Sequence, residues 1–356
     1  MMRTRRPAAV DTSGVHVGVV IPCFEYADYL EDAVRSVLEQ RGVTVEIVIV
    51  DDASTDDSLV VARRLAAADE RVQVLAHTVN TGPVATFNDG LARVSGDYLV
   101  RLDADDMLTP GSLARAVAVG ESEPTVGLIY GHPLHLTGET RPPARERATS
   151  WAVWHGQDWL ADRCRNALNV ITSPEVVMRR SVVDLVGGQR DLAHTHDMEM
   201  WLRIAAVADV AYIRGADQAW HRDHPRSLSA REVDPLRDLQ ERRDAFDVLF
   251  DGVGDRIVEV DRRRTEARAA LAADACRRIR GLYDRVDVDR DLADRYGAFV
   301  RSVVDDPSVV RGWHATERRR GRDSGSAVRP TFVLDRLTRR VASHRAWRRW
   351  HRHGVF

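Results

Sequence analysis

Lysine is absent from the 356 residues, so all 52 basic side chains are arginine. That points to the codon bias of a GC-rich genome and carries no functional signal. Cysteine is scarce: Cys23, Cys164 and Cys276 are odd in number and widely spaced, which excludes a disulfide framework and a cysteine-rich zinc cluster and suits a reducing cytosol. Long apolar runs are missing too. None approaches the ~20 residues needed to cross a bilayer, and the first residues lack the apolar stretch of a secretory leader. The expectation is a cytoplasmic chain. Neither sign of charge dominates, since the formal net charge is −2.

What is present is a composition for a packed core, 44% hydrophobic and 30% charged, in a chain longer than one core usually organises. A main domain plus an appended region is expected. Val17 to Ile21 is a β-branched run ended by Pro22, and Ala27 to Gln40 follows with Leu30, Ala33, Val34 and Val37 on one helical face. The unit repeats: strand Val45 to Val50, an Asp-rich capping loop from Asp51 to Ser58, and helix Leu59 to Ala68. Strand Val72 to Ala76, a turn at Gly82, helix Val84 to Val94 and strand Tyr98 to Leu102 come next, the last entering Asp103-Ala104-Asp105-Asp106. Pro110 opens a further helix before strand Val126 to Tyr130.

Apolar strands alternating with helices predict a mostly parallel α/β sheet flanked by helices, with the carboxyl ends of its strands as the ligand edge. Pro22-Cys23-Phe24, Asp51-Asp52 and Asp103-Ala104-Asp105 each follow a strand, so three polar loops must share that edge. Crowded carboxylates repel and raise each other's pKa unless something compensates. Mg²⁺ or Mn²⁺ is the natural compensator, because it prefers oxygen ligands and bridges carboxylates to substrate phosphates. A lone Asp-x-Asp reads more readily as a solvated turn with a helix cap, and it is the shared edge that favours the cation.

Beyond Val126, a Pro/Arg-rich loop spans Thr140 to Thr149 and an aromatic segment carries Trp151, Trp154, His155 and Trp159. Those tryptophans suit either sugar stacking or packing. Val170 to Met178 is apolar, Ser181 to Gly188 a helix-turn, Asp197 to Val207 a helix and Val210 to Ile213 a strand. Gly82 and Gly187-Gly188 read as turns. The Trp220 to Ser229 loop leads to helical patterns at Pro235 to Phe250, Arg256 to Tyr283 and Asp289 to Val304.

Taken in order, Val17 to Phe24, Val48 to Asp56, Asn80-Thr81-Gly82 and Gly96-Asp97-Tyr98 leading to Leu102 to Asp106 resemble the family 2 glycosyltransferases. So do His196-Asp197-Met198-Glu199-Met200-Trp201 and the Arg222-x-His224-x-x-Ser227 loop. The resemblance implies a GT-A fold and inverting transfer of a hexosyl or N-acetylhexosaminyl group from a nucleotide-sugar, UDP-linked by default, to a glycan or lipid-linked acceptor of the cell envelope. It implies that Asp52 meets the base, with Pro22 and Phe24 lining it and Asp51 supporting the loop. Asp103 approaches the ribose, Asp105 and His224 hold the Mg²⁺ or Mn²⁺, and Arg222 faces the diphosphate. Asp106 stands behind them, and Asp197 is the general base, a role worth ~10²- to 10⁴-fold. His196, Glu199 and Trp201 border the acceptor or stand behind the residues that do, with Thr172-Ser173 near them. His196 stands where the family usually has Glu, and Phe87 where an Arg often precedes Asn88, the latter a further donor contact. As an alternative role, Asp197 suits a helix N-cap.

On this reading residues 1–14 are a disordered basic arm and 15–230 a GT-A domain, its nucleotide-binding half 15–131 and acceptor half 132–230. Residues 231–317 are a helical region, and 318–356 a linker and basic amphipathic helix. That helix, with Leu334, Leu337, Val341, Trp347 and Trp350 near one face among seven arginines, fits an anionic membrane surface, its own domain or a homodimer partner equally. Nucleic acid is not expected, for want of a recognised module. Two other classes stay open: a sugar nucleotidyltransferase, although no Gly-rich basic loop follows the first strand, and a nucleotide-sugar-binding protein without catalysis.

Overall fold

A computed structural model describes residues 2–138, 140–224, 234–285, 287–321 and 330–355. The chain divides into two compact units, Met1–Trp159 with Val170–Arg231, and Leu160–Asn169 with Glu232–Phe356. In the first, β1 (Arg3–Arg5), β2 (His16–Cys23), α1 (Ala27–Leu38), β3 (Thr44–Asp51), α2 (Ser58–Ala68), β4 (Val72–Ala76), α3 (Pro83–Leu91), β5 (Tyr98–Arg101) and β6 (Met107–Leu108) come first. They are followed by α4 (Ser112–Ser122), β7 (Val126–Leu136), β8 (Ser150–Trp154), α5 (Gly156–Asn166), which passes into the second unit at Leu160, β9 (Val177–Arg179), α6 (Arg180–Val186), α7 (His196–Ala205) and β10 (Asp209–Arg222).

The strands form a single sheet in the order β1-β8-β10-β7-β9-β5-β2-β3-β4, with β6 against β10. β2 pairs in parallel with β3 and β5, β3 with β4, and β7 with β10. The antiparallel β9 sits between β5 and β7, so those two also point the same way. Val17, Val19, Val20 and Ile21 are buried on both faces of β2, as a covered central strand requires. Leu30, Ala33, Val34 and Val37 of α1 are all fully buried, the expected stripe. Helix α3 approaches the sheet so closely that a Cβ on Gly90 would lie 2.4 Å from Val20 Cγ1.

Two expectations change. Arg3–Arg5, expected in a disordered arm, form β1 against β8, with Arg5 registered on Trp151 and bonded to Glu123 at 2.9 Å. The strand expected over Val210 to Ile213 runs on to Arg222 as β10. Polar Arg214, Gly215 and Asp217 interrupt its apolar run. Register shifts on both sides of Asp217 absorb the interruption, and the strand re-enters the ladder against β7.

In the second unit, the helices among the described residues are α8 (Pro235–Val253), α9 (Val260–Leu282), α10 (Arg290–Val303), α11 (Trp313–Arg320) and α12 (Pro330–His353). Asp234 and Asp289 cap α8 and α10 through backbone N–H groups at 2.9 Å each. Buried Arg242 lies between Asp238 and Asp274 at 2.9 and 2.8 Å. α12 is tied to its own unit by Arg339 to Asp284 and Arg349 to Asp162, while Leu334, Leu337, Val341 and Trp347 stay exposed. Among the described residues no helix is long and apolar enough to cross a membrane. Part of the expected linker, residues 322–329, lies outside them.

Asp217 is fully buried where β10 shifts register, accepting the Arg145 N–H at 2.7 Å and facing His132 Nδ1 at 3.1 Å. Burial alone would raise its carboxyl, but His132 and Arg145 hold it far below its ordinary 3.8. A depressed folded-state pKa stabilises above the unfolded value and loses that stabilisation as the pH falls through the folded value. Asp217→Asn is therefore expected to lose about 1–3 kcal/mol in denaturant titrations at neutral pH. The gap from the parent should narrow once the pH drops below 3.8; a gap independent of pH would show the carboxylate charge to be irrelevant.

Candidate active site

Registers set the spacing of the acidic loops. Cys23 pairs with Asp51, and Val20 with Arg101, so the loops after β3 and β5 leave the same edge on either side of β2, roughly 10 Å apart from the usual strand spacing. The Asp52 N–H donates to Cys23 O at 2.9 Å and the Leu102 N–H to Val20 O at 3.0 Å, fixing both exits to β2. Pro22 is partly covered at that edge, and Phe24 is 41% exposed.

Asp52 is buried with both oxygens engaged. Oδ1 accepts the Thr81 N–H at 2.8 Å and lies 2.8 Å from His77 Nδ1, and Oδ2 accepts the Gly82 N–H at 2.9 Å. Burial opposes ionisation, but these donors outweigh it and hold the carboxyl below its ordinary value. The loop around Gly82, at φ 86, is thus clamped to β3. Asp51 accepts from Ser54 N–H at 3.2 Å through Oδ2, while its buried Oδ1 has no hydrogen-bond partner among the described residues.

Beyond β5 three carboxylates occupy four positions. Asp103 is the outermost and pairs with buried Arg101 at 2.8 Å. Asp105 Oδ2 lies 2.8 Å from His224 Nε2. Asp106 accepts the Arg222 N–H at 2.8 Å and faces His221 Nδ1 at 3.1 Å. The pairing of β6 with β10, Met107 on Trp220, is what delivers residues 221–224 to this loop. Arg222 donates from Nε to the Asp105 carbonyl at 3.0 Å, and its guanidinium sits over the Tyr29 ring at 4.6 Å. Burial first, then neighbouring carboxylate charge, pushes Asp105 and Asp106 up from the ordinary range. Burial would lower His221, but its bond to Asp106 and the charges of Asp106, Glu175 and Asp105 carry it up to about 9.

Helix α7 brings the remaining residues. Thr195, not Asp197, is its N-cap. Asp197 Oδ2 accepts from Ser173 Oγ at 2.7 Å, and Ser173 sits at φ 121, a strained conformation for a side-chain-bearing residue. His196 is buried, and burial followed by the Arg101 charge lowers its pKa, keeping the ring neutral. Its other electrostatic neighbours are Asp197 and Asp103, so the α7 and β5 residues gather in one place.

Other expected contacts are taken up elsewhere. Glu199 is fully buried in an ion pair with Arg203 at 2.7 Å, and Arg203 also donates to the carbonyls of Val186, Gly187 and Gly188. Its carboxylate therefore braces a turn and does not face an acceptor. Trp201 is 1% exposed, a core residue. The Asn88 amide is spent on the backbone of Gln189 at 2.8 and 2.9 Å. Trp151 and Trp159 are buried in packing. Of the Arg222 to Ser227 loop, residues 225–227 lie outside the described residues.

Two participants escape the sequence. Glu175 is buried at the back of the cluster, accepts the Thr172 N–H at 2.7 Å and is pushed up to about 7 by burial; it sits in an irregular segment with no periodic signal. His77 follows β4 in a loop where nothing but proximity to Thr81-Gly82 marks it.

Residues 18–186 match the family described as Glycosyl transferase family 2. An uncharacterized glycosyltransferase of Nostoc is 38% identical over 115 residues, 32% of this chain and 35% of that protein. The succinoglycan biosynthesis protein ExoO of Rhizobium meliloti is 36% identical over 111 residues, 31% of each. The chain thus spans about a third of the length of these relatives. Among solved structures, S. aureus TarS in complex with UDP-GlcNAc aligns with TM-score 0.60 at 16% identity, over 87% of this chain and 89% of that one. The mannosyltransferase PcManGT of Pyrobaculum calidifontis, in complex with GDP-Man and Mn2+, aligns with TM-score 0.53 at 18% identity, over 98% and 86%. These two show the shared α/β architecture. The matched stretch, just under half of the chain, runs through β2, β3 and β5 and the acidic loops they end in, so over those residues the chain is similar to glycosyl transferase family 2, and its mixed, mostly parallel sheet has the GT-A architecture.

Proposed function

We propose that the protein is an inverting, metal-dependent glycosyltransferase that moves a sugar from a nucleotide-sugar to a hydroxyl of a cell-envelope glycan or lipid-linked acceptor. The observation that carries this is the gathering of Asp103, Asp105 and Asp106 beyond β5, next to His196 and Asp197. A UDP-sugar is the favoured donor, in keeping with the UDP-GlcNAc bound by TarS, and the likeness to a succinoglycan biosynthesis protein favours an envelope polysaccharide.

The residues fit a divalent cation. Asp105 is buried against like charge, and a cation would relieve that cost. Asp105 and His224 would hold Mg²⁺ or Mn²⁺, which supplies positive charge for the departing diphosphate. The chain's own residues do the rest. Pro22 and Phe24 flank the base, and Asp52, with Asp51 behind it, sets the loop that the base meets. Asp103 takes the ribose, and Arg222, stacked on Tyr29, faces the phosphates. Asp197, oriented by Ser173, accepts the proton of the attacking hydroxyl. The bond from the anomeric carbon to the phosphate oxygen breaks as the bond to the acceptor oxygen forms on the opposite face. Exposed Leu334, Leu337, Val341 and Trp347 of α12 would rest on an anionic leaflet, bringing lipid-linked acceptors near.

Release of nucleoside diphosphate from a panel of UDP-, dTDP- and GDP-sugars, with candidate acceptors and with or without Mn²⁺, tests the activity. Metal-stimulated diphosphate release is expected; pyrophosphate release instead would mark a nucleotidyltransferase, and binding without turnover a catalytically silent protein. Asp197→Asn should lower kcat by ~10²- to 10⁴-fold while leaving donor affinity near the parent's, and an unchanged kcat removes Asp197 from the chemistry. Asp105→Asn should abolish the response to Mn²⁺; a variant stimulated as strongly as the parent places the metal elsewhere. Sedimentation with vesicles containing anionic lipid should fall when Leu337 and Trp347 are both changed to Ser, and equal sedimentation rejects the membrane contact.

A further inference from the structure

β7 and β10 run side by side in parallel with His135 registered against His221. The Asp223 N–H carries the ladder one step further, donating to Leu136 O at 2.9 Å. Residues two apart on a strand share a face, so His221 and Asp223 project together on the side of His135. Side-chain distances agree. His135 Nδ1 lies 3.0 Å from Asp223 Oδ2, and His221 Nε2 lies 3.9 Å from Asp223 Oδ1. One ligand atom from each of the three falls within 4.8 Å of the other two, and among the described residues this is the group that meets that condition.

A separate observation concerns the ring nitrogen on the far side. His221 Nδ1 faces Asp106 Oδ2 at 3.1 Å, and Asp106 is buried and held by the Arg222 N–H. Nδ1 donates its proton toward the Asp106 carboxylate, and Nε2, the nitrogen on the side of Asp223, is the one that releases its proton when an ion binds. Metal-binding histidines characteristically give their second N–H to a carboxylate, which fixes the tautomer and raises the basicity of the ligating nitrogen. The side chains of His135 and Asp223 are 61% and 44% exposed, so an ion has a path in and room for water as a further ligand.

We propose that His135, His221 and Asp223 form a second cation site, distinct from Asp105 and His224, that takes one zinc-class ion. Two imidazoles and one carboxylate suit Zn²⁺, with an open position for water, whereas Mg²⁺ and Mn²⁺ favour the oxygen-rich neighbour. His221 and Asp223 lie on either side of Arg222, so an ion bound there pins the end of β10 to β7 and holds Arg222 and His224 in place. The site stands on strand geometry and does not need the proposed transfer reaction.

The test is equilibrium dialysis of the full, metal-stripped chain against Zn²⁺ alone, with bound zinc counted per chain. The parent is expected to bind one Zn²⁺. His135→Ala and Asp223→Asn should each weaken it by at least ~10-fold, while Asp105→Asn keeps the parent's affinity. His135→Asn, which retains a polar side chain on an exposed strand position, should weaken binding like His135→Ala and guards against a folding artefact. A parent that binds no zinc, His135 and Asp223 variants that bind as the parent does, or loss of zinc in Asp105→Asn would each overturn the proposal. Because the readout is zinc bound without any sugar nucleotide, failure here leaves the glycosyltransferase reading untouched, and failure of that reading leaves the zinc site untouched.

Discussion

Like charge packed beyond one strand end governs this molecule. Asp103, Asp105 and Asp106 leave β5 within four residues, and two of them are buried. Such a cluster persists only with compensation, and each member has a partner: Arg101 for Asp103, His224 for Asp105, and His221 with the Arg222 N–H for Asp106. All but Arg101 come from the end of β10, more than a hundred residues further along the chain. The short β6 strand, which looks incidental, is therefore what makes the site affordable: it zips residues 107–108 onto β10 and brings those partners in.

The acidic residues at this edge divide into two electrostatic kinds. Asp52 has its carboxyl held down by donors from Thr81, Gly82 and His77, and its charge is spent on shaping a loop. Asp105, Asp106 and Glu175 are pushed up by burial and by one another. The first kind is settled without a ligand. The second is held at a cost that a bound cation would relieve, and the two kinds stand roughly 10 Å apart across β2, a spacing set by strand geometry and suited to a nucleoside at one end and its phosphates at the other.

Much of this was legible in the sequence because strands and their end loops are local signals. The runs from Val17, Val45, Val72, Tyr98 and Val126 all become strands of the sheet, and the rule that ligands sit beyond strand carboxyl ends gathers the acidic loops without knowledge of side-chain packing. Failures came where packing decides which partner a side chain takes. Glu199 looks like an acceptor-facing acid, yet Arg203 one helical turn on captures it, and Asn88 is captured by Gln189. β1 is three residues that gain a strand's geometry only from β8. Glu175 and His77 lie in irregular segments, where no periodicity announces burial. The aspartates were visible because their chemistry is repeated within one loop; the residues that tune them were not.

The central claim is that a cation and a diphosphate meet at Asp105 while the base rests by the loop that Asp52 clamps. Crystals grown with a nucleoside diphosphate and Mn²⁺, with data collected at the manganese edge, test it most directly. The account predicts an anomalous peak within coordination distance of Asp105 and the diphosphate, with the base between Pro22, Phe24 and the Asp52 loop. A nucleotide bound away from the β2, β3 and β5 ends, or manganese with no contact to Asp105, would contradict it.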